Sequence, residues 1–402
     1  MGSRPLQAVQ GLDAARLRDA LASALDGHGP ALLPLPEDAP ETVIRELVQA
    51  MRPQSLRTPQ GVHSLPQITP QPVRDDTALV VATSGSTGSP KGVELSPRSL
   101  LGSTHASLRR IGIDPTAEPA AGQARPWLCV LPTNHIAGIQ VLLRSLVSGT
   151  EVFQVPFAAA QVSAWAEAHR PHVSLVPTQL RRLMAAGVDL GWFDSILLGG
   201  AAAEQELVST ARAAGAQLHT TYGMSETCGG CVYSGVPLAG VEVELDTDGV
   251  IHLGGPVVCN RYRRDPELSA QRLSTHHGQR WLATSDVGRW DDQGRLHVEG
   301  RIDDVINSGG HKILPERVAQ PLRSHPAVAD AVVVGVPDPE WGQRVVAVVV
   351  PTDTERPPHL AELRDWVRDR LPGYAAPREL RVRARLPLLP SGKPDLATLR
   401  QG

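Results

Sequence analysis

The sequence predicts an α/β protein: a large N-terminal α/β body with a β-rich lobe, followed by a small α+β domain. Short apolar, β-branched runs that end in Gly, Ser or Thr alternate with helical stretches through the first two thirds of the chain. Past Asp246 the texture turns β-rich, with turns at Asp248-Gly249 and Asp292-Gln-Gly294. After Gly300 strands and amphipathic helices resume in a stretch long enough for its own core. The boundaries read as residues 1–299 for an N-terminal domain and 300–402 for a mobile C-terminal one.

Taken in order, Ala14 to Leu25 reads as an amphipathic helix rather than the apolar core of a signal peptide. Arg52 to Pro72, rich in Pro and Gln, reads as loop. Thr77-Ala-Leu-Val-Val-Ala82 has the pattern of a buried parallel strand delivering a loop. The same rhythm recurs at Trp127 to Leu131, Val173 to Val176, Ile196 to Leu198 and Gln217 to Thr221, with helices over Gln179 to Ala186 and Glu204 to Ala214. In such layers ligands gather at the C-terminal ends of the strands. In the last domain Pro315 to Leu322 reads as a helix, and Ala329 to Val334 and Val345 to Val350 as strands. Leu360, Leu363, Val367 and Leu371 then mark one face of a helix.

Charge and composition narrow the class. With 42 acidic and 39 basic residues the net charge is -3, which advertises neither a nucleic-acid nor an anionic-membrane partner. No window reaches the roughly 18 to 20 apolar residues of a membrane span. The four cysteines fit reduced thiols in a cytoplasm better than a disulfide scaffold. Cys228-Gly-Gly-Cys231 has metal-like spacing but no second pair, so small walls beside a pocket are the better reading. A cytoplasmic enzyme is the expectation.

The most informative segment is Thr83-Ser-Gly-Ser-Thr-Gly-Ser-Pro-Lys-Gly92. Gly85, Gly88 and Gly92 let the backbone bend and bring N–H groups to an anion. Ser84, Ser86 and Thr87 add hydroxyl donors, and Lys91 adds charge. Gly follows Lys91 where the Walker A loop needs Ser or Thr.

This string resembles the phosphate loop of the acyl-adenylate-forming superfamily, and similar motifs follow in order to Lys393. The resemblance implies ATP, Mg²⁺ and coenzyme A as cofactors, with small-molecule partners and a homodimer compatible with the family. It implies that Gly199-Gly200-Ala201 is the adenine-contacting turn. By the same match Tyr222 packs on adenine, Ser225 meets the α-phosphate and Glu226 holds the metal. Thr284-Ser-Asp286 resembles a Thr-Gly-Asp motif whose aspartate binds the ribose, with Ser285 in place of glycine. Gly300-Arg-Ile-Asp-Asp304 resembles the interdomain hinge, with Arg301 as a second ribose contact and Asp303 as the pivot. Ser391-Gly-Lys-Pro394 resembles the loop carrying the adenylation lysine, here Lys393. Lys312, after Ser308-Gly-Gly-His311, serves either the thioester half-reaction or only the domain surface.

Such a machine joins a carboxylate to AMP and then to a thiol, so charge neutralisation and positioning dominate. For the acid itself, Leu131-Pro-Thr-Asn-His-Ile-Ala-Gly138, Leu175-Val-Pro-Thr-Gln-Leu180 and Ser225 to Tyr233 resemble the o-succinylbenzoate–CoA ligase branch of menaquinone biosynthesis. That acid carries a second carboxylate, which needs a cation when buried. Arg144, flanked by Val141, Leu142, Leu143 and Leu146, is the candidate, against a snorkelling helix arginine. His135 either caps the acyl pocket or positions substrate, against a packed or capping histidine. Another acyl or aryl acid, loading of a carrier protein, and a non-catalytic nucleotide-binding relative remain open.

Overall fold

The computed structural model describes residues 2–84, 90–117, 124–388 and 394–401. It divides into two units, one of residues 1–244 and 252–283 and the other of residues 245–251 and 284–402.

The first unit holds two seven-stranded sheets. In one, Leu79–Ser84 lies between Ala31–Pro34, to which it runs parallel, and Pro90–Leu95, to which it runs antiparallel. Leu79–Ser84 is thus followed by an antiparallel neighbour: Ala82 faces Gly92 and Thr83 faces Lys91. Arg261–Arg263 closes the edge beside Pro90–Leu95. A difference from expectation lies in Arg52 to Pro72, where Ser55–Thr58 pairs parallel with Leu6–Val9 and folds back on Gly61–Ser64. The apolar signal there is weak because these strands sit at a sheet edge and bury little.

In the other sheet Val152–Gln154, Trp127–Cys129, His172–Leu175, Ser195–Leu198 and Leu218–Met224 are parallel, and Gly229–Tyr233 adds antiparallel. One face is apolar: Leu128, Val173, Leu175, Ile196, Leu198 and Leu218 share a core with the surrounding helices. The alternate residues Trp127, His172, Ser174 and Ser195 are buried polar or amphipathic groups on the opposite face. Parallel strands covered on both sides are normally apolar on both, so this face marks a place where chemistry overrides packing.

The second unit contains the hairpin Val328–Asp338 and Gly342–Pro351, with Glu379–Val382 parallel to its second strand. Helices Pro315–Arg323 and Leu360–Arg368 share one apolar core with it, and Leu386 and Leu399 belong to another. Among the described residues no helix is long and apolar enough to cross a membrane.

Candidate active site

In the first unit the predicted site residues gather at strand ends. Gly85, Ser86, Thr87 and Gly88 lie outside the described residues, as does the side chain of Ser84. Lys91 is half-buried on the returning strand, where the Thr83 hydroxyl donates to its carbonyl (3.4 Å). Gly92 is corrected: it lies within the strand, not in the bend. An added Cβ there would meet Met51 Sδ at 2.6 Å and Arg263 Cβ at 3.0 Å, so close packing requires the glycine.

Beneath this hairpin sits an ion pair that the sequence reading missed. Arg263 Nη1 lies 3.1 Å from Glu94 Oε1, and both side chains are at most 5% exposed. Arg263 also donates from Nε to the Met51 carbonyl (2.7 Å) and to the Gln71 carbonyl. A buried pair with its remaining donors satisfied fixes register more than it adds stability. Its signal was the charge alternation of Arg261-Tyr-Arg263 opposite Glu94.

The turn Gly199-Gly200-Ala201 follows Ser195–Leu198. The Gly199 amide donates to the Leu175 carbonyl (3.0 Å), and Gly200 has φ of +80°, a conformation natural to glycine. Strand Leu218–Met224 runs alongside and ends in a 3₁₀ turn, Ser225–Thr227. Thr227 locks that turn by accepting from the Met224 amide (3.0 Å) and donating to the Gly229 carbonyl (2.9 Å). Tyr222 and Ser225 are half-buried here. The Tyr262 hydroxyl donates to Glu226 Oε1 (2.9 Å). Burial, and then the Glu226 charge, push the Tyr262 pKa well up, so it stays a donor. Tyr262 is a second residue the sequence reading missed. A single carboxylate suits Mg²⁺, which prefers one or two carboxylates plus phosphates; Glu226 would hold it with nucleotide oxygens.

Helix Ile136–Ser148 begins at His135, whose ring does not cap it. Gly138 lets the helix meet the preceding loop: a Cβ there would lie 2.3 Å from the Pro132 carbonyl oxygen. One turn on, Gln140 donates to the Cys228 carbonyl (2.8 Å) and so joins the helix to the turn after Glu226. Cys228 and Cys231 are fully buried, and burial pushes each thiol up to about 12.

Another turn deeper lies Arg144, only 5% exposed. Its Nε donates to Ser107 Oγ (2.9 Å), Nη1 to Ser174 Oγ (3.3 Å) and Nη2 to the Tyr233 hydroxyl (3.4 Å). The guanidinium carbon lies 5.3 Å from the Trp127 ring centroid, and Trp127 Nε1 is buried without an acceptor. Among the described residues Arg144 has no carboxylate within ion-pair distance. It does not snorkel. Next to it His172 shares Nδ1 with Ser195 Oγ (2.9 Å) and lies 3.6 Å from Asp194. Burial pulls the His172 pKa down to about 4; Asp194 opposes that pull, and the Arg144 and Arg125 cations reinforce it.

In the second unit Arg301 bridges Asp286 Oδ1 (3.2 Å) and Asp303 Oδ2 (3.1 Å). Asp286 is held by its own amide, which donates to Thr284 Oγ1 (3.0 Å). Lys312 is exposed on the short hairpin His311–Ile313, turned by Gly309 and Gly310 at positive φ. Lys393 lies outside the described residues.

A family model described as AMP-binding enzyme matches residues 15–269, and one described as AMP-binding enzyme C-terminal domain matches residues 318–393. The chain belongs to the AMP-binding enzyme family. Within this family it is 37% identical over 414 residues to a Mycobacterium tuberculosis protein named "Probable 2-succinylbenzoate--CoA ligase", covering 98% of this chain and 97% of that one. It is 32% identical to a feruloyl-CoA synthase of Amycolatopsis, over 79% of this chain and 68% of the other. Among solved structures it is similar to o-succinylbenzoate CoA synthetase from Bacillus subtilis in complex with its acyl-adenylate intermediate. The TM-score is 0.82 at 28% identity, covering 99% of this chain and 88% of that one.

Proposed function

We propose that this AMP-binding enzyme activates o-succinylbenzoate as its acyl-adenylate and transfers the acyl group to coenzyme A, a step of menaquinone biosynthesis. The observation that carries the choice of acid is Arg144, a buried cation held by hydroxyls with no carboxylate partner among the described residues. Burying an unpaired guanidinium is costly unless an anion completes it. A dicarboxylic acid brings that anion: one carboxylate reacts while the other pairs with Arg144. The names of the Mycobacterium and Bacillus relatives support the same acid.

In this reading His135 and Gly199 border the acyl group, and Arg144 fixes its far end. The phosphate loop, from Ser84 through Lys91, gathers the triphosphate. Tyr222, Gly200 and Ala201 place the adenine, and Ser225 the α-phosphate. Glu226, held by Tyr262, would hold Mg²⁺, whose charge would offset the repulsion between carboxylate and phosphate. Asp286 and Arg301 take the ribose, and Lys393 bridges the two reacting anions. Residues 300–402 then move about Asp303, withdrawing Lys393 and bringing Lys312 forward for the thiol. Four unpaired, buried cysteines support a reducing, cytoplasmic setting.

The test is incubation of purified protein with ATP, Mg²⁺, coenzyme A and o-succinylbenzoate, followed by mass spectrometry. A coenzyme A thioester of that acid is the expected product. If folded protein gives none but releases pyrophosphate with another aryl acid, the acid assignment is wrong and adenylation stands. The similarity to a feruloyl-CoA synthase makes hydroxycinnamates the first alternative to try.

A further inference from the structure

The first unit has a cavity of about 420 Å³ lined by Arg74, Arg261, Arg264 and Arg280, with Asp76 and Tyr262. Asp265 also lines it, but its carboxylate is turned to cap a helix, accepting from the Leu268 amide (2.9 Å). Asp76 is shared between Arg74 (3.5 Å) and Arg261 (4.0 Å), and Arg261 also reaches Glu94 (3.4 Å). Among the described residues the hydrogen-bond acceptors of the other two cations are neutral oxygens. Arg264 Nη1 donates to the Ala50 carbonyl (2.8 Å), and Arg280 Nη1 to the Cys259 carbonyl (2.8 Å) and Asn260 Oδ1 (2.7 Å).

Four guanidinium groups line this concavity against two carboxylates, Asp76 and Asp265, with Glu94 reaching only Arg261 of the four, so the wall keeps an excess of positive charge. Arg264 moreover sits at φ of 58°, a left-handed conformation that an arginine rarely adopts. Planar guanidinium forks match phosphate oxygens, and a concave cationic wall concentrates polyanions. Tyr262, one of the lining residues, also donates to Glu226.

We propose that this arginine cleft, lined by none of the residues assigned to the phosphate loop, binds a ligand carrying two or more phosphate groups. The candidate sources rest on the ligase reading: the phosphorylated adenosine end of coenzyme A, or the pyrophosphate released on adenylation. Calorimetry on the full chain, with the ATP site saturated by Mg²⁺ and α,β-methylene-ATP, tests it using adenosine 3′,5′-bisphosphate and inorganic pyrophosphate as separate probes. One of the two should still bind one equivalent. Arg264→Gln and, independently, Arg74→Gln should each weaken that binding about tenfold, as loss of a charge-assisted bond does. Arg368→Gln, an exposed arginine on the Leu360–Arg368 helix of the second unit, should leave it unchanged. Binding of the bisphosphate identifies coenzyme A, and binding of pyrophosphate alone identifies the product. No binding of either probe beside the analogue, or wild-type affinity in both cleft variants, overturns the proposal. Failure of the ligase reading itself would show as absent thioester and would leave these titrations unaffected.

Discussion

Arg144 and His172 share one buried polar layer and have opposite electrostatic needs. Arg144 is a fixed cation whose partners are hydroxyls, so its removal deprives a bound anion of its counter-charge without stranding a carboxylate of the protein. Arg144→Ala should therefore raise KM for o-succinylbenzoate by about tenfold or more while changing KM for ATP little. An unchanged acid KM in steady-state kinetics would make the residue a packing group. His172 is held neutral in the folded chain, with its pKa depressed to about 4. The unfolded chain takes up that proton near pH 6.5 and the folded chain does not, so stability falls as pH drops from about 6.5 toward about 4. The loss should be on the order of a few kcal/mol. Urea midpoints across that window should flatten in His172→Asn if the assignment is right.

The helix Ile136–Ser148 links three parts of the site. Gln140 ties it to the turn after Glu226, and in the proposed reading its first residues border the acyl group and Arg144 fixes the far end. That placement depends on Gly138, whose missing Cβ lets the helix rest on the Pro132 carbonyl. Gly138→Ala must push backbone against backbone, and overpacking of this kind costs about 1 to 3 kcal/mol. A lowered melting temperature together with a raised acid KM is expected. A melting temperature equal to wild type would mean that the loop relaxes freely. The hairpin around the phosphate loop depends on a different device, the buried Glu94–Arg263 pair with its backbone acceptors.

For the whole chain, the proposed reaction needs two arrangements of residues 300–402, one presenting Lys393 and the other Lys312. Two substitutions separate the halves. Lys393→Ala should abolish acid-dependent pyrophosphate release while leaving thioester formation from supplied adenylate largely intact. Asp303→Pro, which stiffens the pivot, should do the reverse: a first turnover of pyrophosphate persists and thioester formation slows about tenfold or more. Rapid-quench assays of each half-reaction measure both. Equal loss of both halves in Asp303→Pro would remove the pivot role.

The sequence alone carried the family, the order of the motifs and most elements. Motif residues are local: Gly199-Gly200, Ser225-Glu226 and Thr284-Ser-Asp286 are read along the chain because strand-to-turn geometry is specified by neighbours. Ala14–Leu25 and the Leu360–Arg368 helix were legible for the same reason, since a helical face repeats within a few residues. What tertiary structure decided lies between distant segments. It turned Arg52 to Pro72 into an edge hairpin, moved Gly92 from a bend into a packed strand, and set Tyr262 on Glu226 and Arg263 on Glu94. It also showed that Arg144 is buried among hydroxyls from three other elements rather than reaching for solvent. Burial and charge pairing are properties of a neighbourhood assembled from across the chain, and no local spacing encodes which distant side chain completes it.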